Sequence, residues 1–231
     1  DQLNFDNMDA LEKRMLQMFY VTVWMDVIDF AHPEPAYRNL HALTQSRVLC
    51  SEMLELMQYR YDHIDILDKV LDFGFACPID LHCTYSRDQL LVALDFMKPS
   101  TVREGVKWLP EKKLDVLFVT LNKSDKDYSP TTMYEDYSIN KTLFHWQSQS
   151  TTGDHSATGQ RYIHHREQGS RILLCVRDSK KDAWGNASSY NILGFVKYVR
   201  HTGSKPMSIT WRLEDEIPAK YLKQTSKLIV S

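Results

Sequence analysis

No apolar run in the 231 residues approaches the roughly 18–20 that a membrane-spanning helix needs, so no span is expected. The sequence opens DQLNFDNMDA, with neither an initiator Met nor the basic-then-apolar pattern of a secretory signal, and reads as a piece of a longer protein. Cysteine is scarce. Cys50, Cys77, Cys83 and Cys175 do not make a disulfide framework in a chain this long. Cys77 and Cys83, with His82 adjacent, are followed by no second ligand pair at zinc-site spacing, which makes buried small hydrophobes in a reducing compartment the better reading. A Gly-rich loop ending in Gly-Lys-Ser/Thr is missing, so the chain is not expected to hydrolyse nucleotides by itself. A G-x-S-x-G elbow is missing too, as are internal repeats and low-complexity tracts.

What is present describes a folded chain with an uneven charge. Hydrophobic residues make up 43% and charged residues 25%, ordinary for a soluble globular protein. The net charge of -2 hides a division. Residues 1–97 carry 7 Lys and Arg against 16 Asp and Glu, and residues 98–231 carry 21 against 14. An acidic first part joined to a basic second part suggests two jobs, and the basic part can attract a polyanion.

The periodicity changes along the chain. Residues 9–30 read as helix, with Asp9 and Glu12 as a capping box and Leu11, Met15, Met18 and Phe19 among the wide apolar face. HPEPAYRN, 32–39, reads as a break, and a second helix is expected over about 46–60 with Leu49, Met53, Leu56 and Met57 inward. Ser86 and Gln89 form another capping box ahead of Leu90, Leu91 and Leu94, and Thr101 with Glu104 repeats the device before GVKWL. From there the period shortens to two. LDVLFVTL (114–121), TLFHWQS (142–148), RYIHH (161–165), RILLCVR (171–177), ILGFVKYV (192–199) and SITWRL (208–213) read as strands. The expected fold is α+β: a helical N-terminal segment, then a mostly antiparallel, strongly curved sheet or barrel. The expected division is an acidic helical linker or coupling segment, 1–78, and a basic β-rich recognition domain, 79–231.

Catalytic patterns are weak. His164 and His165, neighbours in an expected strand, would point to opposite faces and could not ligate one metal together. Asp178 and Lys180 have the acid-x-Lys spacing of metal-dependent nucleases, with Asp154 as a conceivable second carboxylate, but such spacing after a strand is common by chance. Glu111 and Lys113 offer the same spacing more weakly.

More weight falls on residues 122–140, NKSDKDYSPTTMYEDYSIN, a long loop without apolar periodicity, of the kind that is often functional. Lys123, Ser124 and Lys126 can donate to phosphates. Asp136, between Tyr134 and Tyr137, can accept from an exocyclic amine such as cytosine N4. In the following strand His145 and Gln147 share one face, while Phe144, Trp146 and Ser148 share the other. Gln147 and Gln149 carry donor and acceptor together, which suits a base edge, and with Tyr134, Asp136, Tyr137, His145 and Trp146 they are the candidates for a modified-base pocket. Thr151, Thr152, Thr158 and Arg161 suit a nucleic-acid backbone.

KLDVLFVTLNKSDKDYSPTTMYEDYSI, TLFHWQSQSTT, TGQRYIHH and GSKPMSITWRL resemble the C-terminal domain of unknown function found behind bacterial superfamily II (DEAD/DEAH-type) helicase modules. That architecture often begins with a phospholipase-D-like nuclease. One lineage is similar to the type IV, modification-dependent restriction enzymes that cut DNA containing 5-methylcytosine or 5-hydroxymethylcytosine, where this region acts as the target recognition domain. The resemblance runs from about residue 81 to residue 222. It implies a bacterial, cytoplasmic protein and a duplex-DNA partner with a modified cytosine. It also implies motor and nuclease domains on the same longer chain, with ATP and Mg²⁺ used in the motor and no cofactor, metal or catalytic residue in this part. A homodimer is compatible with it. The base would be read by flipping into an aromatic pocket or through a major-groove contact. Analogy with SET-and-RING-associated or PUA-like barrels suggests the fold. A module that couples or dimerises motor and nuclease is the alternative from another class, and a metal-dependent nuclease domain a remote one.

Overall fold

The structure, a computed structural model, describes residues 4–63, 69–122, 136–219 and 222. The chain divides into two compact units, one of residues 1–80 and 88–99, the other of residues 81–87 and 100–231.

In the first unit, α1 spans Ala10–Trp24. Its start is the reciprocal cap expected: the Glu12 N–H donates to Asp9 and the Asp9 N–H donates to Glu12, each at 2.8 Å. The helix stops well short of residue 30 because Met25 caps it in the left-handed region, at φ 54°. Buried Gln17 then closes the turn that follows, donating from Nε2 to the Ile28 carbonyl at 2.6 Å and accepting the Ile28 N–H at 2.9 Å. Phe5, Tyr20, Ile28 and Ala36 form a small core, with Phe5 stacked on Tyr37.

HPEPAYRN starts a helix instead of ending one. Pro33 is the N-cap of α2 (Glu34–Thr44) and Pro35 sits in its first turn, where a missing N–H leaves no hydrogen bond unmade. The next helix, α3 (Arg47–Asp62), forms about where expected, but none of its residues is buried, and Leu49, Leu56 and Met57 are exposed. Val48, Leu54, Tyr59 and Tyr61 are exposed as well. Apolar residues all round the helix give no single stripe to bury. In α4 (Arg87–Ala93), Leu90 and Leu91 are fully buried, as the pattern implies.

The second unit is built on a sheet. After a 3-10 turn at Pro99–Thr101, GVKWL forms strand β2 (Val106–Leu109) and not the capped turn that Thr101 and Glu104 suggested. β2 runs antiparallel to β3 (Leu114–Thr120), whose seven residues are all buried. β1 is Thr84–Tyr85, β4 Tyr137–Ser138, β5 Leu143–Gln147, β6 Arg171–Arg177, β7 Tyr190–Thr202 and β8 Ser208–Leu213. The order is β2-β3-β6-β7-β8-β5-β4, with β1 against β7. β3 and β6 are parallel, and every other pairing is antiparallel.

This corrects the expected architecture. The sheet is mixed and open, with β2 and β4 at its ends, neither closed into a barrel nor strongly curved, and the analogy with barrel readers falls with it. Closure requires two edge strands to find each other, which period-two patterning does not specify. The long β7 pairs with β6 along residues 191–195 and with β8 along residues 196–202, so one strand serves two neighbours in succession. A register shift opposite Leu174 and Cys175 is accommodated at Gly194, whose φ of 95° few other residues tolerate. Alternation in β5 is as expected, with Phe144 and Trp146 buried; in β8 Ile209, Trp211 and Leu213 are buried and Arg212 is exposed, but Thr210 on the polar face is buried as well.

RYIHH is the second correction. These residues belong to or follow α5 (Ala157–Ile163), which begins at Ser156, whose hydroxyl accepts the Gly159 N–H at 3.0 Å. A Cβ at Gly159 would overlap the Gly153 carbonyl, so the preceding loop can turn this tightly only against glycine. Two helical turns are too few to be stable alone. Tyr162 supplies the tertiary anchor, its ring 5.5 Å from Trp146 and 6.3 Å from Trp211.

His165, directly after this helix, is buried. Its Nδ1 lies 3.2 Å from the Ser170 carbonyl and its Nε2 accepts the Tyr198 N–H at 3.2 Å. Those partners demand a neutral ring with its proton on Nδ1. Burial pushes the His165 pKa below its ordinary value, the Ser170 carbonyl opposing that in part. The unfolded chain therefore protonates first. The stability from neutral His165 is fully present above about pH 6.5 and is lost as pH falls through the depressed folded value. Melting temperature is expected to drop between pH 7.5 and pH 5, and to drop less in His165→Gln, whose side-chain oxygen still accepts the Tyr198 N–H. Equal pH dependence in the two proteins would exclude His165 as the cause.

Candidate functional site

The parallel register of β3 and β6 sets Thr120 beside Arg177, and the Arg177 Nε donates to the Thr120 hydroxyl at 2.9 Å. Arg177 also lies over the Tyr190 ring, 4.6 Å from its centroid. Arg87 approaches Tyr190 too, donating to its hydroxyl at 3.1 Å and to the Val102 carbonyl at 3.0 Å. The Arg87 guanidinium is 5.3 Å from the centre of the Phe118 ring, and Phe118 meets Tyr190 edge-on at 5.2 Å. These residues form one wall of a cavity of about 320 Å³ within the second unit.

The opposite wall comes from β5 and the residues around it. Asp136, Trp146, Gln147 and Gln149 line the cavity. The Gln147 N–H donates to Asp136 Oδ1 at 2.9 Å, and the Gln147 side chain donates to the Ser208 hydroxyl at 3.2 Å. Gln149 donates to Glu104, which also lines the cavity with Arg103 and Gly105. Gly105 lets this rim approach β3 closely: its carbonyl accepts the Phe118 N–H at 2.8 Å, and a Cβ there would lie 3.2 Å from the Phe118 carbonyl.

Four residues expected from the sequence to form a base pocket, Asp136, Trp146, Gln147 and Gln149, thus meet in one concave site. Trp146 is at the same time a core residue, 4% exposed. Tyr137 and His145 do not line the cavity; they stack on each other at 4.9 Å across β4 and β5. Tyr134, Lys123, Ser124 and Lys126 lie outside the described residues. Among the expected backbone contacts, Thr151 is exposed and Thr158 partly so. Thr152 is buried, its N–H donating to the Gln149 carbonyl at 2.8 Å.

Arg161 is engaged internally. It grips the fully buried Asp115 with two hydrogen bonds, Nε to Oδ2 at 2.7 Å and an Nη to Oδ1 at 3.0 Å, and lies 4.3 Å from the centre of the Trp108 ring. Burial raises the Asp115 pKa, against the pull of Arg161. Burial acts to lower that of Arg161, but the hydrogen bond and charge of Asp115 prevail and raise it.

Asp178 accepts from the Asn122 amide at 2.6 Å, and Asp154 accepts from the Ser204 hydroxyl at 2.8 Å. Among the described residues no three His, Cys, Asp or Glu side chains gather as metal ligands. The four cysteines are free, and no described helix is long and apolar enough to cross a membrane.

Sequence reasoning missed Arg87, Arg103, Phe118, Arg177 and Tyr190. One signal was available: Arg177 follows the apolar run ILLCV of β6, and a charge after such a buried run must sit at the end of the strand.

Fold and site together define an α+β domain whose open mixed sheet carries a cavity of aromatic, amide, acidic and guanidinium groups. Residues 79–224 match the family described as Domain of unknown function (DUF3427), and the chain belongs to that family. No curated protein matches the chain.

Arg161→Ala would leave the Asp115 carboxylate buried without its counter-ion. A loss of about 3–5 kcal/mol of stability is expected, measured by urea unfolding, against a near-neutral effect for exposed Thr151→Ala. A well-folded Arg161→Ala protein of unchanged stability would show that the pair is not structural.

Proposed function

We propose that this chain is the target recognition domain of a modification-dependent (type IV) restriction endonuclease, binding duplex DNA that contains 5-methylcytosine or 5-hydroxymethylcytosine. The modified base is flipped out of the duplex into the cavity. Extrusion costs a few kcal/mol, which contacts in a walled site must offset. The observation that carries this reading is the meeting of Asp136, Gln147 and Gln149 with the aromatic groups of Phe118, Trp146 and Tyr190 around one space of about 320 Å³. That volume is at the small end of ligand pockets, about 300–1,000 Å³, and suits a single nucleoside better than an extended ligand.

In this scheme Asp136 and the glutamine amides address the base edge, and the aromatic groups supply flat contact surface. The positive balance of residues 98–231 draws the chain to phosphate in a salt-dependent manner. Binding licenses a motor and a nuclease elsewhere in a longer chain, where ATP and Mg²⁺ act. A second reading, a module that couples or dimerises those domains, is favoured by one observation: the apolar residues Val48, Leu54 and Leu56 of α3 are exposed.

The ratio of affinities for modified and unmodified duplex separates the two. Asp136→Ala is expected to bring that ratio towards one, through loss of a base-edge contact of about 1–3 kcal/mol, while affinity for unmodified duplex stays within about twofold because phosphate contacts persist. Asp136→Asn keeps an acceptor for the Gln147 N–H and controls for folding. An unchanged ratio in Asp136→Ala would remove Asp136 from recognition. Equal affinity of the parent protein for both duplexes would favour the coupling module.

A further inference from the structure

The cavity holds more positive charge than a neutral base requires. Arg87, Arg103 and Arg177 line it, and none of the three meets a carboxylate among the described residues. Arg103 is exposed and makes no hydrogen bond or ion pair with any described residue. The Arg87 Nε is buried without a hydrogen-bond partner among them. The Arg177 Nε and one of its terminal nitrogens are held by Thr120 and the Ser188 carbonyl, both neutral. The two acids of the cavity accept from neutral groups and not from these arginines: Glu104 accepts from the Gln149 amide and Asp136 Oδ1 accepts from the Gln147 N–H. Three guanidinium groups lining one cavity repel one another, and none of them is neutralised by a carboxylate partner among the described residues. One anionic acceptor relieves the repulsion, and the planar fork of arginine is suited to it.

We infer that the cavity contains an oxyanion subsite formed by Arg87, Arg103 and Arg177, so that its ligand is an aromatic base carrying a phosphate or carboxylate and not a neutral base alone. The aromatic half of this inference rests on the reading of the cavity as a base pocket. Two sources supply the same chemistry: the phosphate of the nucleotide itself, or a carboxyl group at position 5 of the ring.

The test is calorimetry on the whole chain with deoxycytidine, deoxycytidine 5′-monophosphate, 5-carboxydeoxycytidine and inorganic phosphate. At least one of the two anionic ligands is expected to bind about 10- to 100-fold tighter than deoxycytidine, the range of one charge-assisted hydrogen bond or two. A gain with the monophosphate assigns the phosphate, and a gain with the carboxylate assigns the ring substituent. Arg103→Gln is expected to fold as the parent does, since its side chain supports nothing in the fold, and Arg177→Gln is checked by its melting temperature. Loss of the anionic preference in either variant supports the subsite. Equal binding of neutral and anionic ligands, or a preference that survives in both variants, overturns it while leaving the base pocket standing. Inorganic phosphate binding as tightly as the monophosphate would do the reverse: the anion subsite would stand and the base pocket would fail.

Discussion

The parallel pairing of β3 with β6 is the constraint on which the second unit depends. Parallel neighbours cannot be joined by a tight turn, so the chain between them must leave the sheet and return. Here that excursion, residues 121–170, contains β4, β5 and α5. Two devices hold its return. Arg161 on α5 grips Asp115 on β3, and Tyr162 places an aromatic ring against both Trp146 and Trp211. A fully buried carboxylate in the central strand is costly unless paired, which gives α5 one well-defined seat. His165 and Ser170 bond to each other ahead of β6, and the Nε2 of His165 accepts the Tyr198 N–H, a bond that only a neutral ring can make.

The cavity is a by-product of the same pairing. It gathers the ends of β3 and β6, where Thr120 and Arg177 are in register, the first residue of β7 and the last residues of β5. None of these segments is a site by itself. β3 contributes Phe118, Val119 and Thr120, β6 Arg177, β7 Tyr190, and β5 Trp146 and Gln147. A cavity assembled in this way is rigid on the strand side, where Phe118 and Tyr190 touch and both arginines lie against Tyr190. Such preorganisation is what a pocket needs if it is to discriminate between bases instead of merely attracting DNA.

Much of this was legible locally. The Asp9–Glu12 cap, the limits of RILLCVR and SITWRL, and the alternation through FHWQ each follow from neighbours within a few residues. RYIHH was misread because a strand-like run of large residues concealed a short helix whose signal lay upstream, in Ser156 and in the glycine that lets Gly153 pack against it. HPEPAYRN was misread because a proline that ends one helix is equally at home in the first turn of the next.

By itself the sequence determined the limits of most of the long strands, the Asp9–Glu12 cap of α1, that a long excursion separates β3 from β5, and that Phe144 and Trp146 share one face of β5 while His145 and Gln147 share the other. Those properties depend on side-chain spacing and on hydrogen bonds between near neighbours. Only the tertiary structure decided that the sheet stays open, that β3 and β6 run parallel, that Arg161 is spent on Asp115, and that Arg87, Arg103 and Arg177 share a cavity with Asp136 and Gln147. The reason is the same in each case. Strand order and the convergence of distant arginines are set by which surfaces can be buried together, and that is a property of the whole chain and of no window within it.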